Sequence, residues 1–188
     1  MRNRFPHVLG VDDGPFAKGQ REPVPVIAVL MEGAGIVEGV SIRAFPVDGE
    51  GVTAFLGDWI LGLRWHATLD SVVLGGITLA GLAVVDVMAL ADRLGVPVLA
   101  VTRRDTRASD LDHALRQAGF GDRLGILEGT PAAARVHAGL YVACAGIGPE
   151  DAAAIVRATT NKARVPEPLR VAHLIGAAIV RGESKGKA

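Results

Sequence analysis

Hydrophobic positions fall into short blocks whose period changes once, near residue 50. Residues 7–11 are apolar and stop at Asp12-Asp13-Gly14-Pro15, the pattern of a buried strand ending in a turn. Residues 24–31 form a second β-rich run, and Gly33-Ala34-Gly35 marks the turn after it. Residues 40–47 alternate, with Val40, Ile42 and Ala44 against Ser41, Arg43 and Phe45, as in a half-buried strand. Three strands joined by such short links predict an antiparallel meander.

Beyond residue 50 the period lengthens. Val52, Phe55, Leu56, Trp59, Ile60 and Leu63 recur at helical spacing and predict a helix over 52–63. Residues 69–74 are continuously apolar, as in a strand buried on both faces. A helix over 84–94 ends at Gly95, a strand covers 96–101, and a helix over 111–118 closes at Gly119. A further strand is predicted over 136–145. A helix over 149–160 follows, with Pro149 in its first turn and Glu150 and Asp151 beside the positive end of its dipole. The last apolar helix spans 168–180, and the polar tail 182–188 is expected to fray. Three antiparallel strands, then parallel strands separated by helices, predict a ribonuclease-H-like α/β fold in one domain over 1–188. Its sheet is mixed, with helices on both faces. A flavodoxin-like arrangement would need a crossover helix between the first strands, and the chain has no room for one.

Composition narrows the classes of function. The 188 residues are 49% hydrophobic and 21% charged, which excludes disorder as the dominant state. Lys+Arg and Asp+Glu are both 20, so a globally basic nucleic-acid binder is excluded while a local basic patch is not. With 5 Phe, 2 Trp and 1 Tyr, generic single-strand binding by stacking is disfavoured. Cys144 is the one cysteine, so neither an intramolecular disulfide nor a knuckle of several cysteines can form. Pro6, His7, Asp12 and Asp13 interrupt any apolar signal core. The longest uncharged stretch, 71–85, falls short of the ~18 residues a membrane span needs. A soluble cytoplasmic protein with no membrane partner is expected.

Several segments carry candidate chemistry. Asp12 and Asp13 end a buried strand, where carboxylates either reach an opening of the sheet and meet a hard cation or simply form a turn. Asp48 ends the third strand beside Gly49 and has the same two readings. Gly75 and Gly76 end the next strand and are followed by Thr78. Two glycines there admit a backbone or a phosphate, or make a plain turn. Arg103, Arg104 and Arg107 follow a buried parallel strand, either meeting phosphate or lying in a solvated loop. Arg170 and His173 share a face of the last helix. No Ser-His-Asp, Cys-His or phosphate-loop constellation can be argued from spacing.

Four segments together carry a resemblance. They are Gly10-Val11-Asp12-Asp13-Gly14-Pro15-Phe16, Val47-Asp48-Gly49, Gly76-Ile77-Thr78-Leu79-Ala80-Gly81, and Val165-Pro166-Glu167-Pro168-Leu169-Arg170-Val171-Ala172-His173. Nearly the whole chain resembles the largely archaeal domain-of-unknown-function 99 proteins. That family is similar to endonuclease V, a metal-dependent nuclease of ribonuclease-H-like fold that acts at deaminated purines. The resemblance implies Asp12 and His173 at a magnesium or manganese ion, and Asp12, Asp13, Asp48 and Arg103 in the catalytic set. It implies Gly75, Gly76, Thr78, Arg104 and Arg170 against the substrate, and DNA or RNA as partner. The chain departs from the pattern at Gly75-Gly76, where Asp-Gly is expected, and at Arg103, which stands at a lysine position. The expected function is therefore an endonuclease V-like, nucleic-acid-related protein with an altered divalent-metal site. A non-catalytic binding module on the same fold, or an enzyme acting on a phosphorylated small molecule, is the alternative.

Overall fold

The computed structural model describes residues 5–103, 108–137 and 139–185. Strands β1 (His7–Asp13), β2 (Val24–Glu32) and β3 (Ile36–Phe45) form the expected meander, antiparallel throughout. β3 begins earlier than the alternation indicated, because a register shift opposite Leu30 and Met31 breaks the period near Glu38. Helix α1 (Val52–Leu61) leads to β4 (Ser71–Leu74), which is buried throughout and runs parallel to β1. A short hairpin, β5 (Thr78–Leu79) with β6 (Ala83–Val84), was not foreseen, since two-residue strands carry no period.

Helix α2 (Val87–Leu94) starts where the Asp86 side chain accepts the Ala89 N–H and stops at Gly95, whose φ is 67°. Strand β7 (Val98–Thr102) is parallel to β4, as expected. Helices α3 (Ala108–Ala118) and α4 (Leu124–Gly129) follow. The predicted strand over 136–145 is instead a hairpin, β8 (Ala134–His137) and β9 (Leu140–Ala145), with β9 antiparallel to β7. Gly139, with a φ of 75°, allows the reversal. Helices α5 (Pro149–Thr159) and α6 (Glu167–Arg181) complete the chain. The seven-stranded sheet has the order β3-β2-β1-β4-β7-β9-β8.

Alternation along the strands sorts the core onto two faces. Leu9, Val11, Val72 and Leu74 meet Leu56, Ile60 and Leu90 of α1 and α2. Val8, Val73 and Leu99 meet Ala152 and Val156 of α5 and Leu169 of α6, while Ile27, Val29 and Met31 meet Ala172. Each such fully buried Leu, Ile or Val contributes roughly 1.5–3 kcal/mol. At Gly10, a Cβ would overlap the Pro168 backbone, so the missing side chain lets the start of α6 lie directly on β1. That close approach sets where the rest of α6 stands over the end of β1. No helix among the described residues is long and apolar enough to cross a membrane.

Candidate active site at the carboxyl ends of β1, β4 and β7

In open α/β sheets, ligand sites gather at the carboxyl ends of strands. Here β1 and β4 end side by side, with the Gly75 N–H donating to the Val11 carbonyl at 3.2 Å. Asp12 therefore stands level with Gly75. One helical turn beyond Leu169, His173 comes down over the same point, and its Nδ1–H donates to Asp12 Oδ2 at 2.9 Å. The two residues are 161 positions apart in the chain. They border a cleft of about 530 Å³ whose lining includes Gly75, Thr78, Arg103 and Arg170, with Leu111 and Leu169 supplying apolar wall.

The His173 imidazole is held above its ordinary pKa first by the hydrogen bond to Asp12. Burial opposes this, the charges of Asp12 and Asp13 add to it, and Arg103 opposes it. Asp13 points away from His173 toward the loop after β5, where Oδ2 accepts the Ala80 N–H at 3.0 Å. Burial above all, and then the charge of Asp12, push its carboxyl up to about 6, against the pull of two backbone hydrogen bonds and of His173. A carboxyl in that range exchanges its proton near neutral pH.

Asp48 does not join this cleft. Its backbone takes a φ of 56°, its N–H donates to the Ala80 carbonyl at 2.8 Å, and its Oδ1 accepts the Leu82 N–H at 2.7 Å. Its carbonyl accepts from Arg123 Nη2, while Arg123 Nη1 donates to the Leu82 carbonyl, both at 2.7 Å. The carboxylate thus closes a clamp on residues 80–82, and a Cβ at Gly81 would strike it. Arg123 is buried and stacks over Phe120, with Cζ 3.9 Å from the ring centre. The sequence reading missed Arg123, and nothing in its local pattern singles it out.

The remaining candidates divide. Gly75, Gly76 and Thr78 line the cleft, and Arg103 stands exposed at its rim. Arg104 lies outside the described residues. Arg170 borders the cleft, yet its guanidinium grips Glu167, with Nη2 to Oε2 at 2.6 Å. Glu167 also accepts the Lys162 N–H at 3.2 Å. Burial raises the Glu167 carboxyl, but the Arg170 hydrogen bond and the backbone donors outweigh it, so the group ends below its ordinary range. Arg170 thus seats the start of α6 through Glu167.

The donor set does not fit a resident metal centre. A hard cation wants several oxygen ligands. Asp12 and His173 are bonded to each other, Asp13 is turned to Ala80, and Gly75 brings no carboxylate. Among the described residues no group of three or more His, Cys, Asp or Glu is disposed to hold a metal ion. A Cβ at Gly75 would stand 2.7 Å from Asp12 Oδ1, so a side chain there would face that oxygen directly.

An acid closing the first strand of a meander, with parallel strands beyond it and a C-terminal helix above, defines a ribonuclease-H-like protein with the fold of endonuclease V. The Ciona intestinalis endonuclease V, solved with a 24mer DNA containing an inosine followed by a ribo-adenosine, superposes with a TM-score of 0.57 at 14% identity. The match covers 89% of this chain and 82% of that one. The chain belongs to the endonuclease dU family, whose model matches residues 4–180. It is 35% identical over 186 residues to the UPF0215 protein of Methanothermobacter thermautotrophicus, covering 96% of this chain and 91% of that protein. A protein of unknown function from Archaeoglobus fulgidus superposes with a TM-score of 0.86 at 29% identity, covering 94% of this chain and 99% of that one. Family and fold together make this a nucleic-acid-related protein.

Proposed function

We propose that the cleft binds a nucleic-acid strand carrying a deaminated base and cleaves its backbone slowly, through an altered site built on Asp12 and His173. The observation that carries the reading is that pair, bonded at 2.9 Å at the carboxyl edge of the sheet, with Arg103 at the rim. A guanidinium there can meet a phosphate. An imidazole held by a carboxylate has a fixed tautomer and can take or give a proton at Nε2. Asp13, with its proton poised near neutrality, is a second place to leave one. The family name directs the choice of base to deoxyuridine, and the inosine-bearing DNA of the Ciona protein makes inosine the comparison substrate.

Gly75 supports a second reading, a module that binds such strands without cutting them, because the sheet end lacks a carboxylate opposite Asp12. One experiment separates the two. Labelled oligonucleotides with deoxyuridine, inosine or neither are titrated for binding by anisotropy and followed for cleavage on gels, with and without manganese. The first reading expects preferential binding of the modified strands and slow nicking that Asp12→Asn abolishes while binding survives. Binding with no nicking would favour the module. Equal, weak binding of all strands, unchanged in Arg103→Glu, would sink both.

A further inference from the structure

The chain carries no net charge, yet its cations are not all neutralised locally. Arg93, Arg116 and Arg170 are each held by a carboxylate, of Asp58, Asp112 and Glu167, and Arg123 donates to main-chain carbonyls. Arg103, Arg135, Arg157 and Arg164 differ. All four are exposed, and among the described residues no carboxylate pairs with them.

The topology sets these four along one edge of the sheet. Thr102, at the end of β7, stands opposite Tyr141 of β9, and Tyr141 stands opposite Arg135 of β8. From Arg103 to β8 is two strand spacings, about 10 Å. Arg164 lies on the same edge. Its Nη1 is 3.3 Å from the place a Cβ would take at Gly139, in the turn between β8 and β9, and the next residue, Val165, lines the cleft with Arg103. Arg135 and Arg157 line a groove of about 410 Å³ between β8 and α5. Glu150 lines it too, but stands seven residues from Arg157 along α5, roughly 10 Å away. Between Glu128 and Glu167 the acids are Glu150 and Asp151, both in the first turn of α5, near the opposite edge where Ala145 pairs with Val98. The arginines therefore lead out of the cleft at its β7 side and continue over the β8–β9 turn.

We propose that this row is a track for a nucleic-acid backbone, holding phosphates of the same strand whose base enters the cleft, and so resting on the reading of that cleft as a nucleic-acid site. The planar guanidinium fork suits phosphate oxygens, and such contacts position a strand without reading its sequence. Tyr141, half-buried, is the aromatic residue within the row, so the grip is on phosphates and not on stacked bases. A span of about 10 Å covers about three nucleotides at ~3.4 Å each, enough for two or three phosphates beyond the cleft.

Single strands with and without deoxyuridine, bound to the full chain in metal-free buffer and followed by anisotropy over a salt series, test it. Arg164→Glu and Arg135→Glu should each weaken binding of both strands about tenfold at low salt, and lower the slope of log affinity against log salt by about 0.7, the share of one phosphate on a single strand. Arg64→Glu makes the same change of net charge at an exposed position before β4, far from the row, and should alter affinity less than twofold. All three positions are exposed, so the thermal midpoints should hold. Preference for deoxyuridine belongs to the cleft and should be the same in every variant. Equal losses in all three variants, or none in Arg164→Glu and Arg135→Glu, overturn the track and leave the cleft reading standing. The expected losses without any preference for the modified strand keep the track and remove the deaminated base from the cleft. A wild-type chain that binds neither strand overturns both.

Discussion

Asp12 and Asp48 read alike in the sequence, each an aspartate expected to close a strand before a turn, yet Asp12 lies in β1 while Asp48 falls in the turn beyond Phe45, the end of β3, and the two end in opposite situations. Asp12 meets an imidazole from the far end of the chain and opens onto a cleft. Asp48 meets the backbone: a carbonyl at Ala80, an amide at Leu82 and, through its own carbonyl, the buried Arg123. The first arrangement leaves reactive atoms facing solvent. The second ties residues 80–82 to the turn after β3, through the two described residues outside glycine with positive φ, Asp48 at 56° and Ala80 at 48°. Such backbone strain persists only where surrounding contacts over-determine it. What separates a chemical carboxylate from a structural one is therefore what its oxygens meet, and residue type does not report that.

The largest effect should come from the clamp. Arg123→Ala removes donors from the Asp48 and Leu82 carbonyls and leaves a void beside Phe120. A loss of about 3 kcal/mol in denaturant unfolding is expected. Asp12→Asn should cost about 1 kcal/mol or less, because His173 is 44% exposed on its side chain and the pair is partly solvated. Nicking of a modified strand should show the reverse ranking for a folded preparation. If Asp12→Asn proves the more destabilising of the two, the division between a chemical and a structural aspartate fails.

That division also marks how far the sequence could be read. The meander, the parallel β4 and β7, and the capped helices were legible because their signals are local: apolar runs, short links, Gly95 and Gly119 at helix ends. The hairpin of β8 and β9 was not, since one continuous apolar stretch hides a reversal at Gly139. Asp12 and His173 could be named together only through the family resemblance. Their meeting depends on α6 settling against Gly10, a contact between distant segments. Arg123 gave no signal at all. A buried arginine that donates to two carbonyls is recognised by its acceptors, and main-chain carbonyls have no letter of their own.

Asp13 sits between the two regions, next to Asp12 in the chain but bonded to the clamp at Ala80. Its carboxyl is raised from 3.8 to about 6 in the folded chain. A raised acid contributes stability below its unfolded value and loses it as pH rises through the folded value, so this group should weaken the fold between pH 4 and pH 6 as pH increases. Asp13→Asn keeps an acceptor for Ala80 and removes the charge. It should stabilise the chain at pH 8 by about 2 kcal/mol, with the gain vanishing near pH 4. His173 acts in the same direction at higher pH. Its raised value gives stability that is complete below 6.5 and is lost as pH rises through the folded value, so His173→Gln should flatten that limb. Thermal midpoints across pH for the three chains check both signs. A stabilising effect of Asp13→Asn that is constant with pH would mean the gain comes from packing and not from charge.

The sharpest test of the Asp12 side lies at Gly75. An ideal Cβ there stands 2.7 Å from Asp12 Oδ1 and 3.5 Å from Leu169 Cδ1. The Asp12 carboxylate must therefore shift to make room, which the far end of a side chain does more cheaply than backbone would. Gly75→Asp sets a second carboxylate at the end of β4, facing the first. Alone, two like charges so close repel, and the variant should be slightly less stable than wild type in metal-free buffer. With manganese the repulsion becomes a ligand pair, because a hard cation gains a second anionic oxygen. Calorimetric titration should show manganese bound at least about tenfold more tightly than by wild type, a difference of about 1.4 kcal/mol. Gly75→Ala, which fills the space without charge, should show no gain. Equal affinity in all three chains would mean that the gap opposite Asp12 is a matter of packing, and that the missing carboxylate is not what distinguishes this site from a metal centre.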